Sequence, residues 1–122
     1  MAHRYDLGEG FCPQYHHAVE LIGRRWNGAI LRELLLGSTR FGQIREAIPQ
    51  LTDKMLAGRL RELEAEGVVS RTVHPETPVR IEYGLTDKGR DLEGAVAALS
   101  RWADRWVPES EALLVEAPAG RS

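Results

Sequence analysis

Apolar residues return along this chain at two spacings, and the change of spacing divides it. Up to about residue 66 they recur every three or four positions, the period of helices with one buried face. Ala18, Leu21 and Ile22 follow Pro13, which suits the first turn of a helix, and Gly23 marks a stop. Ile30, Leu31, Leu34 and Leu35 define a second helix over about 26–36, closed by Gly37. Residues 38–40 form a short connector, either coil or strand. Phe41, Ile44 and Ile48 place a third helix over about 41–47, ended by Pro49. Thr52 is a good N-cap for a fourth, with Asp53 in its first turn and Gly67 at its end.

Beyond Gly67 the period falls to two. Residues 68–73 are rich in valine and read as a strand, and 74–78 is a turn holding Pro75 and Pro78. Ile81, Tyr83 and Leu85 then alternate with Arg80, Glu82 and Gly84 as a half-buried strand, so the two segments predict a hairpin. Thr86 caps a last helix. Its apolar positions Leu92, Val96, Leu99, Ala103 and Trp106 keep heptad spacing until Pro108. Gly8 and Gly10 make 1–11 a flexible arm; 12–107 is the domain, and 108–122 is a C-terminal tail that reads as frayed from Ala112. The predicted fold is α+β, mostly α. It is a winged helix-turn-helix with flanking N- and C-terminal helices suited to dimerisation.

Composition narrows the function. The 122 residues make about one domain, 43% hydrophobic and 28% charged, as in an ordinary globular protein. One cysteine rules out an intrachain disulfide and points to an intracellular, cytoplasmic protein. No apolar run approaches the roughly 20 residues that cross a bilayer, and the N-terminus lacks a signal-like apolar stretch. The net charge of −2 argues against nucleic acid only until it is resolved along the chain. Residues 24–90 carry twelve Lys or Arg against nine acids, while both ends are acidic. A local anion-binding face is therefore open.

The fourth helix is the natural place for it. At about 100° per residue, Leu56, Leu60, Leu63 and Thr52 share a buried face. Lys54, Gly58 and Arg61 point outward, flanked by Asp53, Met55, Ala57 and Arg59. Small and basic residues on an outward face suit insertion into a major groove, with a hairpin tip reaching the neighbouring backbone or minor groove. Gly58 is informative, because a mid-helix glycine costs about 0.5–1 kcal/mol against alanine. Close approach of DNA would explain it; a neutral surface glycine is the alternative. The predicted DNA-binding set is Arg40, Arg45, Thr52, Lys54, Met55, Gly58, Arg59, Arg61, His74 and Arg80. Each basic member has a plainer reading. Arg61 can pair with the acids at 62, 64 and 66, and Arg80 can pair across the hairpin with Glu82 or Glu76. Leu92, Val96, Leu99, Trp102 and Trp106 form the predicted dimer interface. A dimer would set two recognition helices about one DNA turn, roughly 34 Å, apart.

These residues resemble a known family. Cys12-Pro13, Leu21-Ile22-Gly23-Arg24-Arg25-Trp26 and Ile30-Leu31-Arg32-Glu33-Leu34 are similar to HxlR-type transcription regulators, relatives of the MarR group. So are Thr52-Asp53-Lys54-Met55-Leu56, Arg59-Leu60-Arg61-Glu62-Leu63-Glu64, Gly67-Val68-Val69, Arg71, the wing 75–83 and Leu85-Thr86-Asp87-Lys88-Gly89. The likeness spans about 12–106. It implies a homodimeric bacterial repressor or activator acting on a pseudo-palindromic operator in double-stranded DNA. In several members the cysteine matching Cys12 senses oxidants or electrophiles, which implies a small-molecule or electrophile effector. The family usually carries a larger polar residue where this chain has Gly58, and His16-His17 lie outside its pattern.

Cys12 has two readings. A helix start favours a thiolate, as would a protonated His16 one turn on, and both support redox sensing. Alternatively it is a small buried residue holding down the arm. A metal site from Cys12, His16 and His17 is disfavoured, since adjacent histidines diverge on a helix. No cofactor is expected. No catalytic triad, Walker loop, paired-cysteine motif or glycine fingerprint appears, so an enzyme is not expected. The competing reading is a winged-helix module that binds protein instead of DNA.

Overall fold

Local capping chemistry sets most element boundaries in this computed structural model, which describes residues 6–115. The ends of the expected arm and tail, 1–5 and 116–122, lie outside the described residues. Helix α1 (Pro13–Gly23) starts on the Cys12 side chain, and α2 (Asn27–Leu35) follows a sharp corner at Trp26. In α3 (Phe41–Ala47) the Gln43 side chain accepts from the backbone N–H groups of Thr39 and Arg40. The predicted cap of α4 (Asp53–Ala65) is present: Thr52 Oγ1 accepts from the Met55 N–H at 3.1 Å. Gly67, at φ +85°, turns the chain out of α4, a conformation that favours glycine.

The hairpin pairs β1 (Val69–His74) with β2 (Arg80–Leu85) in antiparallel register, Val69 opposite Leu85 and His74 opposite Arg80. The connector at 38–40 stays irregular. It is tied to the hairpin by a bond from the Tyr83 N–H to the Thr39 carbonyl, 2.8 Å long.

One core holds these parts together. Ile30, Leu31 and Leu34 of α2 meet Ile44 of α3, Leu56, Leu60 and Leu63 of α4, and Ile48, Leu51, Val68, Val69 and Leu85. Burying a side chain of this kind stabilises by about 1.5–3 kcal/mol, so the three leucines fix which face of α4 remains outside. Asn27 is the single buried polar residue of the described core, and its Nδ2 donates to the Leu21 carbonyl at 2.9 Å. Trp26 packs on this core with φ +78°.

Two expectations fail at the C-terminal end. The last helix is not continuous: α5 (Asp87–Arg90) and α6 (Glu93–Trp106) are separated by a tight turn. The cause is tertiary. Thr86 Oγ1 donates to the Gly67 carbonyl at 2.6 Å and accepts from the Gly89 N–H. Gly89 then lies so close to the Val68 carbonyl that a Cβ would sit 2.1 Å from its oxygen. This anchors α5 on the start of β1, and α6 departs after it. The second failure is the tail: Glu109–Val115 forms a short helix, α7, where fraying was expected from Ala112.

Candidate nucleic-acid interface

Helix α4 shows four faces. The first carries Leu56, Leu60 and Leu63 into the core. The second faces α1 and is fully occupied. Arg24 clasps Glu62 with two bonds of 2.6 and 3.1 Å. Arg59 donates to the Arg25 carbonyl at 2.9 Å and to Glu62 at 3.3 Å. Glu66 lies 2.9 Å from His17 Nε2, and Lys88 donates to the Glu66 carbonyl at 2.7 Å. The hydrogen bond from Arg24 holds the Glu62 carboxyl below the usual carboxylate range, and His17 does the same to Glu66.

The third face carries Lys54, Gly58 and Arg61. No carboxylate of the described residues comes within ion-pair distance of Lys54 or Arg61. A Cβ on Gly58 would meet nothing within 4 Å, so no intramolecular packing requires glycine there. The fourth face looks toward the hairpin, across a cleft of about 320 Å³ lined by Ala57, Leu60, Arg61, Glu64, Arg71 and Tyr83.

The other predicted residues divide by what they hold. Arg45 bridges to Asp53 at 2.8 Å, pinning the end of α3 to the start of α4. Thr52 caps α4, and Met55 packs partly against the core. Arg59 is only 18% exposed and braces α4 from the inside. Each of these side chains is engaged within the protein and positions the helix. Arg40 sits exposed at the start of α3, near the wing acids.

At the hairpin, Arg80 reaches Glu76 at 3.0 Å and Glu82 at 3.1 Å, and His74 Nε2 bonds to Glu82. The hydrogen bond to Glu76 raises Arg80 above its ordinary value, and His74 and Arg80 lower Glu82. In the free protein ion pairing of Arg80 therefore describes the wing, but not across the strands as expected: Glu82 lies on the same strand as Arg80, and Glu76 lies in the turn.

Cys12 is exposed, which removes the buried reading of it. Its Sγ accepts from the Tyr15 N–H at 3.4 Å and approaches Gln14 Oε1 at 3.5 Å. It borders a cavity of about 480 Å³ with Leu7, Gly10, Phe11, Tyr15 and His16. Among the described residues no three His, Cys, Asp or Glu side chains gather as a metal ion would need, and no helix is long and apolar enough to cross a membrane.

Neither α1 nor α6 buries a residue. Tyr15 and Val19 of α1, and Phe11 just before it, are exposed. On α6, Leu99, Trp102 and Trp106 are 56%, 58% and 62% exposed, while Val96, and Leu92 just before the helix, are half-buried.

The arrangement of two short helices, a third laid outward and a hairpin beside it is that of a winged helix. A family model for the HxlR-like helix-turn-helix matches residues 21–111. The chain belongs to the HxlR-like helix-turn-helix family. It is 50% identical over 99 residues to the HTH-type transcriptional regulator YvaP of Bacillus subtilis (strain 168), covering 81% of this chain and 92% of YvaP. It is 42% identical over 110 residues to the HTH-type transcriptional regulator YodB of the same organism, covering 90% and 98%. The solved reduced form of YodB matches with a TM-score of 0.71 at 45% identity, over 80% of this chain and 96% of that one. The redox regulator HypR in its oxidised form matches with a TM-score of 0.72 at 37% identity, over 77% and 96%. These relatives are transcriptional regulators and not enzymes, and the family implies DNA binding.

In this HxlR-like chain the residues overlooked in the sequence are Arg24, Glu62, His17 and Glu66, which clamp α1 to α4, and Arg71. The clamp partners stand 38 and 49 residues apart, which no local pattern reveals. Arg71 did leave a signal: at period two it shares a strand face with Val69 and Val73, it stands opposite Tyr83, and with Tyr83 it lines the cleft beside α4.

Proposed function

We propose that this regulator acts as a homodimer on a pseudo-palindromic operator, with α4 in the major groove and the 74–80 wing beside it. The observation that carries the reading is the outward face of α4. Among the described residues Lys54 and Arg61 have no ion-pair partner, and Gly58 between them has no packing reason to be glycine. Arg45, Thr52, Met55 and Arg59 act indirectly, by fixing the angle at which α4 leaves the domain. Arg40 and Arg80 supply backbone contacts. Arg80 exchanges a wing carboxylate for a phosphate when DNA binds, and that exchange lowers its net contribution.

Dimerisation is supported by the exposed Leu99, Trp102 and Trp106 of α6 and the apolar strip of α1. Apolar surface of this kind marks interfaces. Sedimentation at micromolar concentration should give a dimer; monomer alone would overturn this part.

Cys12 is the proposed switch. It is exposed, lies beside an aromatic-lined cavity and caps the helix that Arg24 and His17 tie to α4. Relatives support the reading: YodB has been solved reduced, diamide-treated and quinone-bound, and HypR oxidised and reduced. Displacement of α1 by thiol chemistry would pull on α4 through the Glu62 and Glu66 clamps. The test is binding to the DNA upstream of the protein's own gene, with reduced and mildly oxidised wild type and Cys12→Ser. Binding that changes on oxidation in wild type alone supports the switch. Binding indifferent to oxidation removes it, and no binding in either state favours the protein-binding module.

A further inference from the structure

The cleft between α4 and the hairpin has a chemistry that the preceding assignments leave unused. Its walls carry Arg61 from α4 and Arg71 from β1, with Tyr83 beside Arg71 across the strand pair and Ala57 and Leu60 at its floor. Arg61 and Arg71 are both exposed, and no carboxylate of the described residues lies within ion-pair distance of either. Arg24, Arg45, Arg59 and Arg80 have carboxylate partners, whereas several other arginines of the described residues have none; what sets Arg61 and Arg71 apart is that both line one cleft. Two like charges left facing one cleft repel each other unless an anion enters. Glu64, on the same wall, is the one acid lining the cleft.

The geometry of a winged helix says which anion. A helix in the major groove and a hairpin at the adjacent minor groove have one phosphodiester strand running between them. That strand must cross the space between α4 and the sheet. We infer that the α4–β1 cleft is a phosphate seat, in which Arg61 and Arg71 together grip one backbone phosphate of the bound duplex. Guanidinium groups suit this role because they donate paired N–H bonds in a fixed plane. The assignment rests on the DNA-binding reading above and sharpens it. Arg61 becomes a backbone contact, leaving Lys54 and the bare backbone at Gly58 to face the bases. Arg71, outside the predicted set, becomes a DNA-binding residue. Glu64 opposes the phosphate and limits the affinity.

The test compares the full-length wild type with Arg71→Ala, Arg61→Ala, Arg71→Lys, Glu64→Gln and Lys54→Ala. Each is titrated against the upstream operator duplex and a scrambled duplex of equal length, at several salt concentrations. Arg71→Ala and Arg61→Ala should weaken both duplexes alike, by roughly tenfold, as loss of a charge-assisted bond would. The slope of log affinity against log salt should flatten by about 0.9 for each lost phosphate contact. Arg71→Lys should keep most of the slope. Glu64→Gln should tighten both duplexes, an opposite sign that a merely structural role would not produce. Lys54→Ala should reduce operator preference. Wild-type affinity in Arg71→Ala, or a loss confined to the operator, would overturn the phosphate seat while leaving DNA binding intact. Wild type that binds no duplex would overturn both readings at once.

Discussion

On the side of α4 that faces α1, Arg59, Glu62 and Glu66 are all engaged, with Arg24, His17, Lys88 and the Arg25 carbonyl as partners. On the side that faces outward, Lys54 and Arg61 engage no acid of the described residues, and a Cβ on Gly58 would meet nothing within 4 Å. Both faces are polar, both carry arginine, and they lie on one thirteen-residue helix. Charge density alone does not distinguish them; occupancy does. An arginine already bonded to the fold orients the helix, and one left without a partner is available to a ligand. The wing is intermediate, because Arg80 and His74 are basic but already hold Glu76 and Glu82.

The comparison collapses altogether if α4 loses its seat. Leu60→Ala should destabilise the domain by about 2–5 kcal/mol in denaturant unfolding, because Leu60 is almost fully buried. DNA binding should fall with it. Lys54→Ala separates the faces. Operator affinity should drop by roughly 1–3 kcal/mol relative to scrambled DNA, while the melting temperature stays near wild type. A fall in stability comparable to the fall in affinity would place Lys54 among the bracing residues. Gly58→Ala should move the two readouts in opposite directions. Stability should rise by about 0.5–1 kcal/mol, since the new methyl enters open space, and operator affinity should weaken. Unchanged affinity would return Gly58 to a neutral surface position.

The smallest effect concerns the clamp. Arg24 depresses the Glu62 carboxyl below its ordinary 4.5, so the pair stabilises the fold above that pH. The contribution is lost as pH falls through the lowered value. Glu62→Gln should therefore flatten the acid side of a stability-versus-pH curve and leave neutral DNA binding by reduced protein nearly unchanged. In wild type but not in Glu62→Gln, oxidation of Cys12 should still reach the operator.

Much of this fold was legible because its boundaries are local. Pro13, Thr52 and Gly67 act within one turn of their own positions, as does the Thr86 cap on Gly89, and the change from period 3.6 to period two located the hairpin. The break between α5 and α6 was not legible, because it arises where Gly89 meets the Val68 carbonyl, 21 residues earlier in the chain. The site divided in the same way. Helical spacing alone placed Lys54, Gly58 and Arg61 on one outward face. It could not show that Arg59 turns back to the Arg25 carbonyl or that Arg45 holds Asp53, since those partners are fixed by tertiary packing. Arg71 was hidden for a simpler reason: its importance depends on which sheet face meets α4.

The central claim is that unpartnered cations, not all cations of α4, read the DNA. It is tested most directly by the salt dependence of operator binding for Lys54→Ala and Arg59→Lys side by side. The account predicts lost operator preference for Lys54→Ala, with a salt slope and preference close to wild type for Arg59→Lys. Wild-type preference in Lys54→Ala, with the loss appearing in Arg59→Lys, would contradict it.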